Sequence, residues 1–444
     1  MSPAPITHRL IARGLASSPA LLVLAAACLA PVPASAAWRF EPIGGATGVA
    51  ELHEVAFDAR GQGLLSWTGA QRGHAPPFFG ALATRDPGSA RRTSGGIQPA
   101  TMQIHLFGPA SALLVAREAA SATSRRRLVT GEGRSDGGFD AVGSLGDFVV
   151  EHWSAVNARG DAIVAWTSER SPFVRVAERS AGGRFAPLRE LAVGRTAAVA
   201  INARGDSALV WRAGTRLAGR VRPAGGEWSR TVRFGRVRSI QDLRLSALVA
   251  RNGRVIVTWG SPGRPCGVSV RDARGTWRSR TLERRCGPTG VAARAAPVLP
   301  IGDGRDATYV AWTGRTRGGR RAVKLARVTA GGAETAGSAL VLSRERGAVL
   351  DDAASDARGA LAVTYIAPRP TAARPLLHAT FAALRRRGGA FGRAERLTPG
   401  NVFGARGSRV AFHPLTGEPV VAVPFLVGRT VAVAAAVGPP ASAP

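Results

Sequence analysis

The stretch VNARGDAIVAW, Val156 to Trp166, recurs as INARGDSALVW, Ile201 to Trp211, forty-five residues further on. Related units close at Trp67 (AFDARGQGLLSW), Trp259 (VARNGRVIVTW), Trp312 (IGDGRDATYVAW) and Tyr365 (ASDARGALAVTY). Two degenerate copies fill the gaps, LFGPASALLVA around Val115 and FHPLTGEPVVAV near Ala422. That makes eight units at intervals of about 45 to 57 residues. Self-similarity at such a period restricts the chain to repeat architectures.

Each unit contains the same local physics. A short apolar strand runs into Asp or Asn and then Ala-Arg-Gly. The Asx side chain bonds back into its own turn, and the glycine takes the positive φ that closes a hairpin. A continuous apolar run such as AIVAW or VIVTW follows, which suits a strand buried on both faces. A looser, Arg-bearing pair of strands around a Gly-rich turn completes the unit, as in RVAERSAGGRFAPLREL from Arg175 to Leu191. Helix-period stripes and caps are nearly absent. The last unit stops after PFLVGRTVAVAAAVG (Pro424 to Gly438), one outer strand short. The segment Ala37-Trp38-Arg39-Phe40 has the form of that strand, so an N-terminal strand is expected to complete the last blade and close a ring.

The Asp/Asn-Ala-Arg-Gly…Trp phrase resembles the blades of exported bacterial β-propeller repeat proteins, loosely akin to Asp-box and WD40-like blades, over most of residues 38–436. It departs from the Asp box, Ser-x-Asp-x-Gly-x-x-Trp, because Trp166 follows Gly160 by six residues and falls within a strand. The resemblance implies an all-β propeller of eight, or seven, four-stranded blades and no particular activity. An open solenoid or two smaller β domains is the alternative.

The formal net charge is +31, and the basic residues are arginines apart from Lys324. Arginine is scattered along the chain beside abundant Ala and Gly, as a compositional bias would scatter it. No helix-turn-helix, zinc or stacking-aromatic motif accompanies the charge, so no specific nucleic-acid partner is expected. Non-specific attraction to anionic polymers at low salt does follow from it. The Arg125-Arg126-Arg127 and Arg385-Arg386-Arg387 runs read as a solvated rim.

The first 36 residues read as a secretory signal: His8, Arg9 and Arg13, then the apolar Pro19–Val32, then Ala34-Ser35-Ala36. Residues 37–438 are then the propeller and 439–444 a disordered tail. Cys28 leaves open a lipid-anchored alternative at the cell surface. No later segment has the ~20 unbroken apolar residues of a spanning helix, so the expectation is a secreted monomer. Cys266 and Cys286 remain, flanking a predicted hairpin around Asp272 and Gly275. In an exported chain that pair implies a disulfide.

Chemistry has few footholds. No G-x-S-x-G elbow, HExxH helix, phosphate loop or EF-hand spacing occurs, and no cofactor or metal site is expected. The only tyrosines, Tyr309 and Tyr365, fall in buried strands, which argues against a sialidase-type nucleophile. One constellation is left, on the first strand of each blade, which lines a propeller's channel. Eight residues before the hairpin glycine stand His53, His152 and Asp351, with Glu54, Glu151 and Asp352 beside them. These six are the candidate ligand-binding residues at a channel mouth. The expected function is a non-enzymatic binding propeller for an unknown protein or glycan partner. The alternatives are a polysaccharide-acting hydrolase or lyase using Asp351 and Glu151, and a charge-driven polyanion binder.

Overall fold

The computed structural model describes residues 38–47, 49–69, 77–82, 92–94, 99–118, 126–134, 139–237, 242–272, 274–287, 298–302, 307–329, 332–333, 339–368, 377–398, 402–403, 407–427 and 430–439. The signal sequence expected above, and residues 440–444 of the expected tail, lie outside them. Strands pair antiparallel into eight sheets, each built on a path of four. Seven sheets are consecutive in sequence: blade 1 starts with Val49–Phe57, blade 2 with Pro99–Phe107, blade 3 with Val149–Val156 and blade 4 with Arg195–Ile201. Blades 5, 6 and 7 start with Arg244–Val249, Val298–Gly302 and Val349–Ser355. Blade 8 joins Arg409–Phe412, Pro419–Val427 and Thr430–Val437 to the first strand of the chain, Arg39–Thr47. Arg39 stands opposite Val437, so the N-terminal strand supplies the outer edge that the last repeat lacks.

The first strands of the eight blades neighbour one another in cyclic order, and that of blade 8 neighbours that of blade 1. The core is divided in the same way, into eight apolar clusters, each filling one seam between consecutive blades. One of them packs Leu52, Leu65 and Trp67 of blade 1 against Val420, Val433 and Ala435 of blade 8, which seals the ring. The molecule is therefore a closed, eight-bladed all-β propeller.

This division explains the continuous apolar run of each second strand. In Ala162–Ser168 every residue is buried. Trp166 and Val164 face the seam with blade 2, while Ile163 and Ala165 face the seam with blade 4. A strand with a neighbour on both faces has no polar side to alternate with. The aromatic closing the phrase always wedges into the seam with the preceding blade, as Trp211 does against blade 3, Trp259 against blade 4 and Trp312 against blade 5. Trp67, Trp166, Trp211, Trp312 and Tyr365 are the largest fully buried side chains. Room for the indole is made by glycine: a Cβ on Gly194 would come within 2.3 Å of the Trp211 ring.

The turn preceding that strand behaves as its composition dictates. Asn157 Oδ1 accepts from the amides of Arg159 and Asp161, at 3.0 and 3.1 Å, and Gly160 sits at φ 94°. Asn202 and Asp356 repeat the pattern with the amides two and four residues on. The degenerate eighth unit substitutes a histidine, His413, whose Nδ1 accepts from the Thr416 amide at 3.1 Å. Cys266 and Cys286 form a disulfide that ties the open ends of the hairpin in blade 5, with a Cα–Cα separation of 5.7 Å.

Candidate functional site

The first strand of a blade has a hydrogen-bonded partner strand on one side only, so along the innermost ring a row of amides faces the neighbouring blade. Buried amides need acceptors. For amides of blades 8 and 2 the acceptors are the very carboxylates singled out from the sequence, on blades 7 and 1. Asp351, buried, accepts from both the backbone amide and the hydroxyl of Ser408 on blade 8, the latter at 2.7 Å. Asp352 accepts from the amide of Val410 on blade 8 at 2.9 Å. Glu54 of blade 1 accepts from the amide of Ile104 on blade 2 at 3.2 Å.

Arg409 sits among these three groups. Its Nε donates to the carbonyl of His53 at 2.8 Å, joining blade 8 to blade 1, and its charge acts on Asp351, Asp352 and Glu54 together. Three carboxyl groups share this one guanidinium in a part-buried setting, and loss of water outweighs its attraction. Burial lifts the Glu54 carboxyl from 4.5 to about 7, against the Ile104 amide and Arg409. Burial lifts Asp352 to about 6 against the same arginine, and Asp351 is raised for the same reason. Desolvation disfavours a charge that is only partly paired.

The other half of the sequence-derived set lies elsewhere, at the seam of blades 2 and 3. His152 is held down to about 4 by burial, and then by the positive charge of Arg117. Burial alone holds His105 at about 4; its Nε2 lies 2.7 Å from the Ser154 hydroxyl, which donates to Gln103 at 2.9 Å. Glu151 is exposed and acts on Arg117 through its charge. The structure therefore gathers Glu54, Asp351 and Asp352 into one cluster that also takes in the His53 carbonyl, and leaves Glu151 and His152 in a second.

The common spacing from the hairpin glycine concealed a difference in register. His152 stands directly opposite Trp166. In blades 1 and 7 the residues opposite Trp67 and Tyr365 are Leu52 and Leu350, and His53 and Asp351 fall where the register shifts. At Asp351 the bulge accompanies a carboxylate that meets the edge of blade 8 at Ser408, and at His53 a carbonyl that accepts from Arg409 of blade 8. Sequence reasoning also missed Arg409, Ser408, His105 and Ser154. A signal for Arg409 was present: it stands eight residues before Gly417, the turn glycine of the degenerate unit. The two tyrosines are structural: Tyr365 stacks on Phe381 at 5.3 Å and donates to Glu345, and the Tyr309 hydroxyl accepts from Arg385. Of the arginine runs, Arg126 and Arg127 pair with Glu169 and Glu118; Arg125 lies outside the described residues.

What fold and site define is a class, the closed eight-bladed propeller with charged ties along its inner ring. No family model and no curated protein matches the chain. Several solved propellers are similar to it in overall structure. The structure described as the Dos1 propeller has a TM-score of 0.49 at 9% identity, covering 89% of this chain and 94% of that one. An ulvan lyase from a polysaccharide lyase family scores 0.46 at 10% identity, over 86% and 93%. YCF48 bound to D1 peptide scores 0.42 at 11% identity, over 92% and 97%.

Proposed function

We propose that the chain is an exported, non-enzymatic propeller that binds a protein or glycan partner through the loops and strand ends at the mouths of its ring. The observation that supports this reading most is the use to which the inner carboxylates are put. Asp351, Asp352 and Glu54 each accept from the backbone of the next blade. A carboxylate committed to its neighbour's amides holds the ring together; specificity is then left to the connections, where propellers and other scaffolds carry it. A leader of the signal type and the Cys266–Cys286 disulfide support export.

A glycan-cleaving reading has one observation in its favour. Carboxyls that keep their proton to about 7 and about 6, as Glu54 and Asp352 do, are what a general acid requires. The two readings part on one experiment. The purified chain is presented with panels of neutral and acidic polysaccharides and peptides while binding and product release are followed together. Binding without product is expected. Product formation that Asp352→Asn abolishes, in a variant that melts like the parent, would establish the enzyme instead. Binding that vanishes at physiological salt whatever the polymer would reduce the function to charge alone.

A further inference from the structure

A pocket of about 370 Å³ opens between blades 5 and 6, away from the inner ring. Among the described residues, every side chain on its wall is an arginine: Arg264 and Arg285 from blade 5, and Arg315 and Arg321 from blade 6. The described remainder of its lining is glycine: Gly263, Gly287 and Gly314. The local structure is well braced. Gly263 donates to the carbonyl of Cys286 at 2.7 Å, and Gly287 to that of Thr313 at 3.1 Å. The disulfide fixes Cys286 to Cys266, two residues from Arg264. Arg315 and Arg321 face each other across the hairpin of blade 6.

Several arginines of this molecule have found carboxylates. Arg159 pairs with Asp161, Arg204 with Asp206, and Arg222 with Glu178. Among the described residues, none of the four pocket arginines has a carboxylate within ion-pair distance. The nearby acid, Glu283, accepts from Lys324, the chain's one lysine, at 3.0 Å and from the Arg315 amide at 3.4 Å. Burial, and then the charge of Arg315, draw the Arg321 guanidinium below its ordinary value, so the crowding of like charge is felt inside the pocket. Arg315 Nη1 also donates to the Gly319 carbonyl at 2.8 Å. Four arginines around a cavity, with one bordering carboxylate already held by Lys324, leave an excess of positive charge that an oxyanion satisfies with paired, charge-assisted bonds. The volume exceeds that of a bare ion and falls at the small end of organic-ligand pockets, roughly 300–1,000 Å³.

We propose that this pocket binds a tetrahedral oxyanion ester, a singly charged sulfate or a doubly charged phosphate carried on a body the size of one sugar ring. The site is separate from the inner ring and goes beyond the binding function proposed above by giving a ligand chemistry and a place. It is tested by calorimetry on the full chain with glucose 6-sulfate, glucose 6-phosphate and glucose, in about 0.15 M NaCl, where long-range attraction is largely screened. Saturable binding of one or both esters, and none of glucose, is expected. The tighter ester shows whether sulfate or phosphate is the natural group. Arg315→Gln with Arg321→Gln should weaken it by about tenfold or more, from the loss of two charge-assisted contacts. Arg386→Gln with Arg387→Gln removes equal charge from the exposed turn of blade 7 and should leave it unchanged. No ester binding at this salt, or equal loss in both double variants, overturns the pocket. Partner binding that survives in the Arg315/Arg321 variant alongside such a result would leave the broader binding function standing.

Discussion

Blades 3 to 5 and blades 7, 8 and 1 solve one problem in two ways. In the first arc the repeated phrase itself makes the seams. Asn157 Nδ2 donates to the carbonyl of Asn202 in the next blade at 3.1 Å, and Asn202 Nδ2 donates to that of Ala250 at 3.0 Å. These ties are neutral and identical from blade to blade. In the second arc the turn residues of blades 1 and 7 are Asp58 and Asp356, which have no amide to donate. Their seams are joined by Asp351, Asp352, Arg409 and Glu54 on the inner strands. The regular arc is held by what repeats, with the Arg222–Glu178 ion pair added between blades 3 and 4, and the closing arc by what does not. A ring of stacked blades needs both, because the last seam joins segments from opposite ends of the chain.

The contrast can be broken by substitution. The largest effect is expected from Trp211→Ala, which empties a fully buried wedge between blades 3 and 4 and should cost about 3–5 kcal/mol by denaturant unfolding. Asp351→Ala removes the acceptor of the buried Ser408 amide and hydroxyl in the closing arc. A loss of about 2–4 kcal/mol is expected, and a loss within experimental error would show that this seam does not depend on its carboxylate. Asn202→Asp keeps the acceptor for the turn but removes the donor to Ala250 and sets a second carboxylate beside Asp206. It should destabilise by about 1–2 kcal/mol. Asp356→Asn, the reverse exchange in blade 7, should stay within about 0.5 kcal/mol. Equal effects of these two exchanges would erase the distinction between the arcs.

The smallest effect is one of pH and separates the charged seams from each other. Glu54 rises from its ordinary 4.5 to about 7 on folding, so in that interval the folded chain binds more protons than the unfolded one. Its contribution is therefore most favourable below that interval and declines as pH climbs through 7. Glu54→Gln keeps an acceptor for the Ile104 amide and needs no proton. It should melt higher than the parent at pH 8 and alike at pH 5. The pair His105 and His152 works in the opposite direction: held at about 4 against 6.5, they bind fewer protons when folded, and stability falls as pH drops through that range. Glu54→Gln should leave this acid limb of the melting profile untouched.

The same contrast accounts for what could be read in advance. The turn at Asn157–Gly160, the buried strand ending at Trp166 and the closing role of the N-terminal strand follow from local chemistry written in every unit. A count of eight followed as well, with seven as the alternative, because even the degenerate FHPLTGEPVVAV kept its spacing and its glycine. The inner cluster was only half visible. Counting from the turn glycine treats His53, His152 and Asp351 as equivalents, but an extra residue in blades 1 and 7 shifts the register between Leu52 and Glu54 and between Leu350 and Asp352. A bulge leaves little trace in a single sequence. Arg409 escaped because its unit has neither the Asp-Ala-Arg nor the closing tryptophan that drew attention to the others.

The strand Arg39–Thr47 precedes all eight repeats in the sequence, yet its partner Thr430–Val437 belongs to the eighth. Seven blades can assemble from near neighbours as they emerge, while the eighth must wait for both ends. Contacts spanning such sequence separation form late and slowly, so the final step of folding is a zipping of two termini, and until it occurs the outer edge of Thr430–Val437 is an open strand that another copy of Arg39–Thr47 could occupy.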